Sequence, residues 1–276
     1  MKIYRLTNTL DGYLPAMKFT KNKEEAEIIL VGGKSINLAQ FPKLVGIFKT
    51  GVGTDNLPYK EAKKRLIEIE LPSSKTIEII IEETASFTCY LILRMLYFSV
   101  GDWNEWKKFD RPALLGQKLL VVGNGRIGKR VVKKMSSFMK VDTFDSAENE
   151  IDSFEKKVRI SDVVALSVPL TDETHAFFDA AKLAWMKDGA ALVNTSRGPV
   201  IDESALFQEL YSGRLRAAID VFWTEPYTGI LNDLPDDRFI RTPHVASSSK
   251  DFVSSAASDF ITFVNNLISK RQNFYD

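Results

Sequence analysis

The chain has little cysteine, little histidine and almost no net charge. Its 276 residues include one Cys and two His, and 37 basic residues oppose 36 acidic ones for a formal net charge of +1. The single Cys89 excludes an intrachain disulfide, and the apolar segment FTCYLIL around it favours a buried, inert thiol over a nucleophile. A net charge near zero gives no field that would attract nucleic acid or an anionic membrane over the whole surface. We therefore expect a small-molecule partner, and neither nucleic acid nor membrane.

Long apolar runs are also missing. No stretch reaches the roughly 18 apolar residues that a membrane-spanning helix needs, and the N-terminal MKIYRLTNTLDGYLP lacks the apolar core of a signal peptide. These absences favour a cytoplasmic location. We see no repeat, no low-complexity tract and no reason to expect a metal site. With 45% hydrophobic and 26% charged residues, the composition is that of a globular protein long enough for two domains.

The most informative stretch present is LLVVGNGRIGKRVVKKM, residues 119–135. Four apolar residues run into Gly123, Gly125 and Gly128, and a helical pattern follows. Gly123 permits a tight turn, Gly125 lets the backbone approach a pyrophosphate, and Gly128 lets helix and strand pack closely. The helix then begins near Arg126, with free N–H groups directed at phosphates. The alternative is a glycine-rich turn with a purely structural role.

The residues after this turn support the dinucleotide interpretation. The next apolar run, VDTF, ends at Asp145, which follows Gly123 by 22 residues. An acidic residue at about this distance holds the adenosine ribose in dinucleotide-binding folds. Strands and helices continue to alternate, which predicts a parallel sheet covered on both faces: a doubly wound Rossmann domain. Further strands are expected at 163–168, 190–194, 215–219 and 239–241, with helices at 179–186, 203–212 and 253–270.

The N-terminal part predicts a second, smaller α/β unit. Short apolar runs occur at 26–31, 44–48 and 67–71, and a helical segment spans 58–66. Between two of these elements lies KTGVGTDN, in which the backbone N–H groups near Gly51 and Gly53 can bind a carboxylate. Alternatively it is an ordinary loop in which Asp55 or Asn56 caps the next helix. A long apolar helix at 82–98 and an irregular connection at 101–116 follow, so we place a domain boundary near residues 95–115.

Reactive side chains follow three of the predicted strands. Arg197 lies in NTSRG, Glu225 in DVFWTEP and His244 in TPHV. Ligands of parallel sheets bind at the carboxyl ends of strands, so these groups are expected to converge. The guanidinium can hold a carboxylate, the imidazole can pass a proton, and Glu225 can orient the imidazole. Each residue also has an ordinary interpretation: a surface ion pair, a loop charge, a hydrogen-bonded loop histidine.

Elimination favours His244 among the two histidines, since His175 lies in a polar segment before a helix. With these residues in place, the chain resembles the D-isomer-specific 2-hydroxyacid dehydrogenases. The resemblance extends from GVGTDN through EET, GNGRIG, SVPLTDET, NTSRG and DVFWTEP to TPHVAS. This sequence reads IEET where VAEH is commoner, lacks a glycine often found after the histidine, and is shorter than is typical of the family.

The resemblance implies NAD as cofactor and a set of site residues. Arg197, Glu225 and His244 take the catalytic roles, and Val52 and Gly53 join Arg197 and His244 in binding substrate. The implied cofactor contacts are Gly123, Gly125, Arg126, Ile127, Gly128, Asp145, Val168, Pro169, Thr174, Thr195, Ser196, Asp220 and Ser247. The resemblance also implies a homodimer.

The family further implies a discontinuous, flavodoxin-like substrate domain made of residues 1–95 and 250–276, shortened at its N-terminal end, and an NAD-binding domain at 96–249. The expected reaction moves a hydride between NAD(H) and C2 of a D-2-hydroxy or 2-oxo acid. Two alternatives stay open. One is a non-catalytic protein that binds NAD as a signal, and the other is a family dehydrogenase that acts on another small anion such as formate or phosphite.

Overall fold

The computed structural model describes residues 1–148, 151–236 and 238–272, of which 151 and 152 are described by their backbone alone. The strands, in chain order, are β1 (Ile3–Arg5), β2 (Phe19–Thr20), β3 (Ile28–Val31), β4 (Gly46–Lys49), β5 (Glu68–Glu70), β6 (Gly101–Asp102), β7 (Lys107–Lys108), β8 (Lys118–Val122), β9 (Lys140–Phe144), β10 (Val163–Leu166), β11 (Ala191–Asn194), β12 (Arg216–Ile219) and β13 (Phe239–Arg241). The α-helices are α1 (Tyr59–Lys64), α2 (Ser74–Leu96), α3 (Arg126–Met135), α4 (Ile151–Ile160), α5 (Ala180–Trp185), α6 (Glu203–Tyr211) and α7 (Lys250–Gln272).

The chain divides into two compact units. Unit 1 contains residues 1–80 and 248–276, and unit 2 contains residues 81–247. The division falls inside helix α2, whereas the sequence placed the boundary at residue 95, near the end of that helix. The last four residues of the predicted 250–276 segment lie outside the described part of the chain.

Unit 1 is built on a five-stranded sheet in the order β2-β1-β3-β4-β5, and all of its pairings are parallel. This is the flavodoxin-like strand order, with its switch point between β1 and β3. Strands β3 and β4 are buried along their whole length, because the unit covers both faces of the sheet. Strands β1 and β2 were not predicted, since runs of three and two residues carry too little pattern.

One position in unit 1 is conformationally strained. Leu66 follows α1 with a φ of 55° and is 90% exposed. The left-handed region costs a residue with a side chain about 1–2 kcal/mol, and glycine is favoured where a helix ends in this way.

We expect Leu66→Gly to stabilise the protein by about 0.5–1 kcal/mol, because relief of strain exceeds the added flexibility of the unfolded chain. The melting temperature should rise by roughly 1–3 °C. Leu66→Ala is the control, since it removes the same exposed side chain but keeps Cβ. A rise of equal size in the alanine variant would contradict the backbone explanation.

Unit 2 is built on a six-stranded, all-parallel sheet in the order β13-β12-β11-β10-β8-β9. Alternate residues of its strands point to opposite faces. Leu120, Val122 and Val164 join one apolar core, and Leu119, Val121 and Val163 join the other. The predicted doubly wound sheet is therefore confirmed, with its switch point between β8 and β10.

Three local predictions need correction. Helix α2 begins at Ser74, eight residues before the predicted start, because its first turns mix Thr and Glu with isoleucines. The segment 101–116, predicted to be irregular, contains the short hairpin β6–β7. Helix α4 was not predicted at all. Among the described residues, no helix is long and apolar enough to cross a membrane.

Candidate active site

Three neighbouring strands of unit 2 bring the proposed reactive residues to one edge. Strands β11, β12 and β13 are adjacent and parallel, so their carboxyl ends face the same way. Arg197, Glu225 and His244 lie in the segments that follow these strands. This is the edge at which ligands bind in parallel sheets.

Glu225 and His244 are directly bonded. The distance from His244 Nδ1 to Glu225 Oε2 is 2.8 Å, and the second carboxylate oxygen, Oε1, accepts a bond from the Phe222 amide at 3.2 Å. The side chains of His244 and Glu225 are 41% and 35% exposed. The other ring nitrogen, Nε2, has no hydrogen-bond partner among the described residues. The imidazole is therefore held from one side and open on the other.

The charge state of Glu225 is set by opposing effects. Burial raises the pKa of the carboxyl group, but the hydrogen bond and the charge of His244 lower it. The Phe222 amide and the charge of Arg197 act in the same direction, and the pKa ends below its usual value. Glu225 is consequently a carboxylate at neutral pH, and Arg197 is near enough to influence it.

Arg197 is positioned by the turn that follows β11. Asn194 is fully buried, and its side chain accepts bonds from the amide and hydroxyl of Ser196 and donates to the carbonyl of Arg197. Arg197 Nη1 in turn donates to the Ser196 carbonyl at 2.7 Å. A Cβ on Gly198 would lie 2.2 Å from the backbone of Phe222, so only glycine lets this turn lie against the segment that carries Glu225.

Asp220 supports the loop that carries His244. It is completely buried and accepts bonds from the Thr242 hydroxyl at 2.6 Å and from the amides of Val245 and Ala246 at 2.9 Å each. Burial raises the pKa of Asp220 in spite of these bonds. His244 has a φ of 53°, a left-handed conformation that is uncommon for residues other than glycine and that occurs at functional sites. The bonds that Asp220 accepts from residues on both sides of His244 hold it there.

The glycine turn after β8 has the shape that a pyrophosphate requires. Gly123 has a φ of +100°, and a Cβ there would lie 2.5 Å from the Ser167 carbonyl. A Cβ on Gly128 would lie 2.0 Å from the Gly123 carbonyl. Around Gly125, the residue that precedes α3, nothing lies within 4 Å of a Cβ, so protein packing does not require a glycine. The open space at this helix N-terminus fits a bound phosphate.

Asp145 follows β9, as predicted, and borders the glycine turn. Its Oδ2 accepts a bond from the Asn124 amide at 2.7 Å, and Oδ1 accepts one from the Ala147 amide at 3.1 Å. Asn124 also donates from its side chain to Glu148 at 3.0 Å. Two acidic side chains therefore lie beside the turn, a charge arrangement that suits ribose hydroxyls better than a phosphate.

Several other predicted cofactor residues shape loops in this structure. The Thr174 hydroxyl donates to the Pro169 carbonyl and accepts from the Thr171 amide, which closes the turn after Val168. The Thr195 hydroxyl lies 2.7 Å from that of Thr88 on α2, and both residues are buried. Thr88 donates its proton to the Thr84 carbonyl. The remaining predictions in unit 2 are placed as follows: Arg126 and Ile127 in the first turn of α3, Ser247 half-buried after the His244 loop.

The predicted substrate residues Val52 and Gly53 belong to unit 1, so the geometry within unit 2 does not include them. The expected helix cap by Asp55 or Asn56 is wrong, because α1 has Pro58 at its N-cap and no side-chain cap bond. Sequence reasoning missed Asn194, Gly198 and Thr88 as supports of the Arg197 turn. An Asn at a strand end followed by Thr-Ser is a recognisable signal for such a turn.

Cys89 is buried on α2, and burial raises the pKa of its thiol to about 11. The prediction of a buried thiol is confirmed, and the raised pKa favours the inert interpretation, because the thiolate is scarce at neutral pH. No group of three or more metal-binding side chains occurs among the residues that the structure describes.

Comparison with known proteins identifies the family. Residues 96–246 match the model of the D-isomer specific 2-hydroxyacid dehydrogenase, NAD binding domain. The chain is 31% identical to hydroxypyruvate reductase of Thermotoga maritima over 237 residues, which cover 81% of this chain and 74% of that protein. It is 34% identical to glyoxylate reductase of Korarchaeum cryptofilum over 249 residues, covering 78% and 70%.

Among solved structures, D-lactate dehydrogenase from Aquifex aeolicus, complexed with NAD and lactic acid, superimposes with a TM-score of 0.79 at 23% identity, covering 99% of this chain and 97% of that one. At this identity the likeness concerns the fold. The assignment to a family therefore rests on the family match and on the sequence relatives. The matched domain is the NAD-binding domain, so NAD is the cofactor. The chain belongs to the D-isomer specific 2-hydroxyacid dehydrogenases, an NAD-dependent enzyme family.

Proposed function

We propose that this protein interconverts a small 2-oxo acid and its D-2-hydroxy acid, with His244 as acid/base, Glu225 as its support and Arg197 as the carboxylate anchor. The observation that carries the proposal is the 2.8 Å bond between His244 Nδ1 and the carboxylate of Glu225, which leaves Nε2 open. NAD(H), when bound, supplies or accepts the hydride at C2. His244 then gives a proton to the substrate oxygen in reduction and removes it in oxidation.

Arg197 binds the substrate carboxylate in this proposal, because its planar guanidinium offers two parallel donors. Val52 and Gly53 contribute backbone N–H groups from unit 1. The glycine turn, Asp145, and the segments after β10 and β11 bind the cofactor.

The test is a panel of 2-oxo acids with purified protein and NADH, followed by NADH absorbance. The relatives' names direct the first choices, hydroxypyruvate and glyoxylate. Pyruvate is the third, because it has a methyl group where hydroxypyruvate has a hydroxymethyl group. Chiral analysis of the glycerate formed from hydroxypyruvate, or of the lactate formed from pyruvate, should show the D isomer; glycolate from glyoxylate has no stereocentre. Formate and phosphite are tested with NAD in the oxidative direction. Turnover of these two alone would favour the alternative anion dehydrogenase, and NADH binding without any turnover would favour the non-catalytic binding protein.

We expect NADH to be preferred over NADPH, because Asp145 repels a 2′-phosphate and the following Ser146 and Ala147 supply no cation. Asp145→Asn removes the charge but keeps an oxygen for the Asn124 amide, so it should narrow the ratio of the two Kd values by roughly 10-fold. Asp145→Ala should narrow it as well, with added disturbance of the turn. Fluorescence titration of both cofactors measures the ratio, and equal Kd values in the unmodified protein would contradict the prediction.

We also propose a homodimer formed through the β6–β7 hairpin. Trp103 and Trp106 are 79% and 76% exposed, and their ring centroids lie 5.1 Å apart. Leu115, a few residues on, is 75% exposed. The segment WNEWKKFDR carries charges of both signs, so it can pair with its own copy across a two-fold axis.

The expected mass in light scattering is twice the 31.1 kDa of one chain. Replacing both Trp103 and Trp106 with Ser should yield monomers. Tyr211→Ser is the control, because Tyr211 is 72% exposed elsewhere on unit 2. A double variant that stays dimeric would exclude the hairpin as the interface. The cytoplasmic location stays a prediction.

A further inference from the structure

A buried lysine lies at the end of a strand in unit 1. Lys49, the last residue of β4, is only 4% exposed. Its ammonium group donates to the Gly32 carbonyl at 2.5 Å and to Asn56 Oδ1 at 2.8 Å. Burying a lysine costs free energy unless its ammonium group donates hydrogen bonds. These two bonds therefore stabilise Lys49 in its buried position.

Asn56 completes the arrangement from the other end of the loop. Its side-chain amide donates to the carbonyls of Gly32 at 2.9 Å and Lys34 at 2.7 Å. The Gly32 carbonyl thus accepts from both Lys49 and Asn56. The two ends of segment 49–56 are bonded to each other, and both are bonded to the turn that follows β3. We call these two side chains and their carbonyl partners the loop clamp.

The clamp encloses TGVGTD, a segment with two glycines. An unrestrained segment of this kind loses about 1–2 kcal/mol of entropy per residue when it becomes ordered. No atom lies within 4 Å of a Cβ on Gly51, so packing around this glycine does not hold the loop. The bonds of Lys49 and Asn56 therefore add to the order that the N–H groups of Val52 and Gly53 have before a ligand arrives, beside the bonds from Thr50 to the Val31 carbonyl.

We propose that Lys49 and Asn56 are positioning residues that pre-order the Val52–Gly53 backbone for the substrate carboxylate. This inference rests on the proposed function. Neither side chain contacts substrate in it; both act through the loop. An ordinary packing role for Lys49 makes a different prediction, because methionine fills nearly the same volume and would serve equally well.

The test is a double-mutant cycle with Lys49→Met and Asn56→Ala. Each single variant should raise KM for the best 2-oxo acid by about 10-fold, the scale of a lost hydrogen bond to a charged group, with a smaller change in kcat. The double variant should resemble the singles, because each change alone opens the clamp. The Kd for NADH should stay within about twofold, since the proposed cofactor residues belong to unit 2.

Lys34→Met is the matched control. It removes a positive charge from the same turn, and only the backbone carbonyl of Lys34 takes part in the clamp, while its side chain is exposed. KM should not change. A raised KM in Lys34→Met equal to that in Lys49→Met, or an unchanged KM in Lys49→Met and Asn56→Ala, would overturn the inference.

Amide hydrogen exchange separates this inference from the proposed function. The backbone amide hydrogens of residues 50–56 should exchange several-fold faster in Lys49→Met than in the unmodified protein. This measurement does not require that a substrate be known. If the protein reduced no 2-oxo acid, the proposed function would fail while faster exchange still supported the clamp. Unchanged exchange in both clamp variants would reject the clamp even in an active enzyme.

Discussion

Replacing His244 with Gln should lower kcat for 2-oxo acid reduction by a factor on the order of 10² to 10⁴ and leave the Kd for NADH nearly unchanged. The imidazole is the proposed proton donor, and glutamine keeps its approximate size but cannot transfer a proton. The glycine turn that would hold the cofactor lies after a different strand, β8. Steady-state kinetics and fluorescence titration on the same sample measure both quantities.

His244→Asn is the control for the backbone. His244 has a φ of 53°, and asparagine tolerates the left-handed region better than most residues. This variant should fold at least as well as His244→Gln and be equally inactive. High activity in either variant would remove His244 from the mechanism.

The pH dependence tests the role of Glu225. Reduction needs the imidazolium and should weaken as pH rises, while oxidation needs the neutral base and should strengthen. Glu225→Gln removes the carboxylate that faces Nδ1, so the alkaline limb of the reduction profile should move to lower pH. An unmoved limb in kcat/KM would mean that Glu225 does not couple to the catalytic proton.

The acid limb follows from the pKa of Glu225 itself. That pKa is lowered in the folded protein, so the stabilisation from its charge is fully present above the usual glutamate range. It is lost as pH falls through the lowered value, where the bond to His244 loses its ionic character. Activity in the reduction direction should therefore decline on both sides of a maximum. The decline on the acid side should be absent in Glu225→Gln, because the glutamine amide does not titrate.

Gly125→Ala should weaken NADH binding by roughly 5- to 150-fold with little loss of stability. The added methyl group meets open space in the protein but would occupy the pyrophosphate position, where overpacking costs about 1–3 kcal/mol. Replacing glycine with alanine at the N-cap of α3 should lower the stability of the protein by about 1 kcal/mol or less. Titration with NADH measures the loss of binding, and thermal unfolding measures the loss of stability.

Gly128→Ala is the contrasting variant. Its methyl group would lie 2.0 Å from the Gly123 carbonyl, a backbone atom that cannot swing aside. We expect a loss of about 3 kcal/mol or more in stability, seen as a lower melting temperature or poor recovery of folded protein. If Gly125→Ala bound NADH normally, the open space would not be the cofactor site.

The sequence predicted the unit 2 sheet well because its strands are near-continuous apolar runs. VVALSV and ALVN are typical of strands that are buried on both faces of a parallel sheet. By contrast, β1 and β2 were missed because these short strands are defined by their pairing: β1 pairs with β3, and β2 pairs with β1, both contacts between separate parts of the chain. The start of α2 was missed for a similar reason, as polar residues at its first turns obscure the apolar pattern.

For the candidate site, the positions of the predicted strand ends indicated which side chains lie close together. They did not indicate which hydrogen bonds hold these side chains in place. No spacing in the sequence reveals that Asp220 bonds to both sides of His244, or that Gly198 is required by the backbone of Phe222. The same applies to the loop clamp in unit 1, which joins positions from two different loops. Such supports depend on side-chain directions that only the folded chain defines.

The contact between the hydroxyl groups of Thr88 on α2 and Thr195 after β11 has a consequence for ligand polarity. A carbonyl oxygen can only accept, so the one proton of Thr88 is committed to Thr84. The contact between Thr88 and Thr195 must then use the proton of Thr195. The hydroxyl of Thr195 then has no further proton to donate, so it can only accept a hydrogen bond from a ligand. Any ligand group that bonds to this hydroxyl must therefore be a hydrogen-bond donor, such as an amide NH₂ or a sugar hydroxyl. A carbonyl or an unprotonated phosphate oxygen can only accept, so it cannot form a hydrogen bond with Thr195.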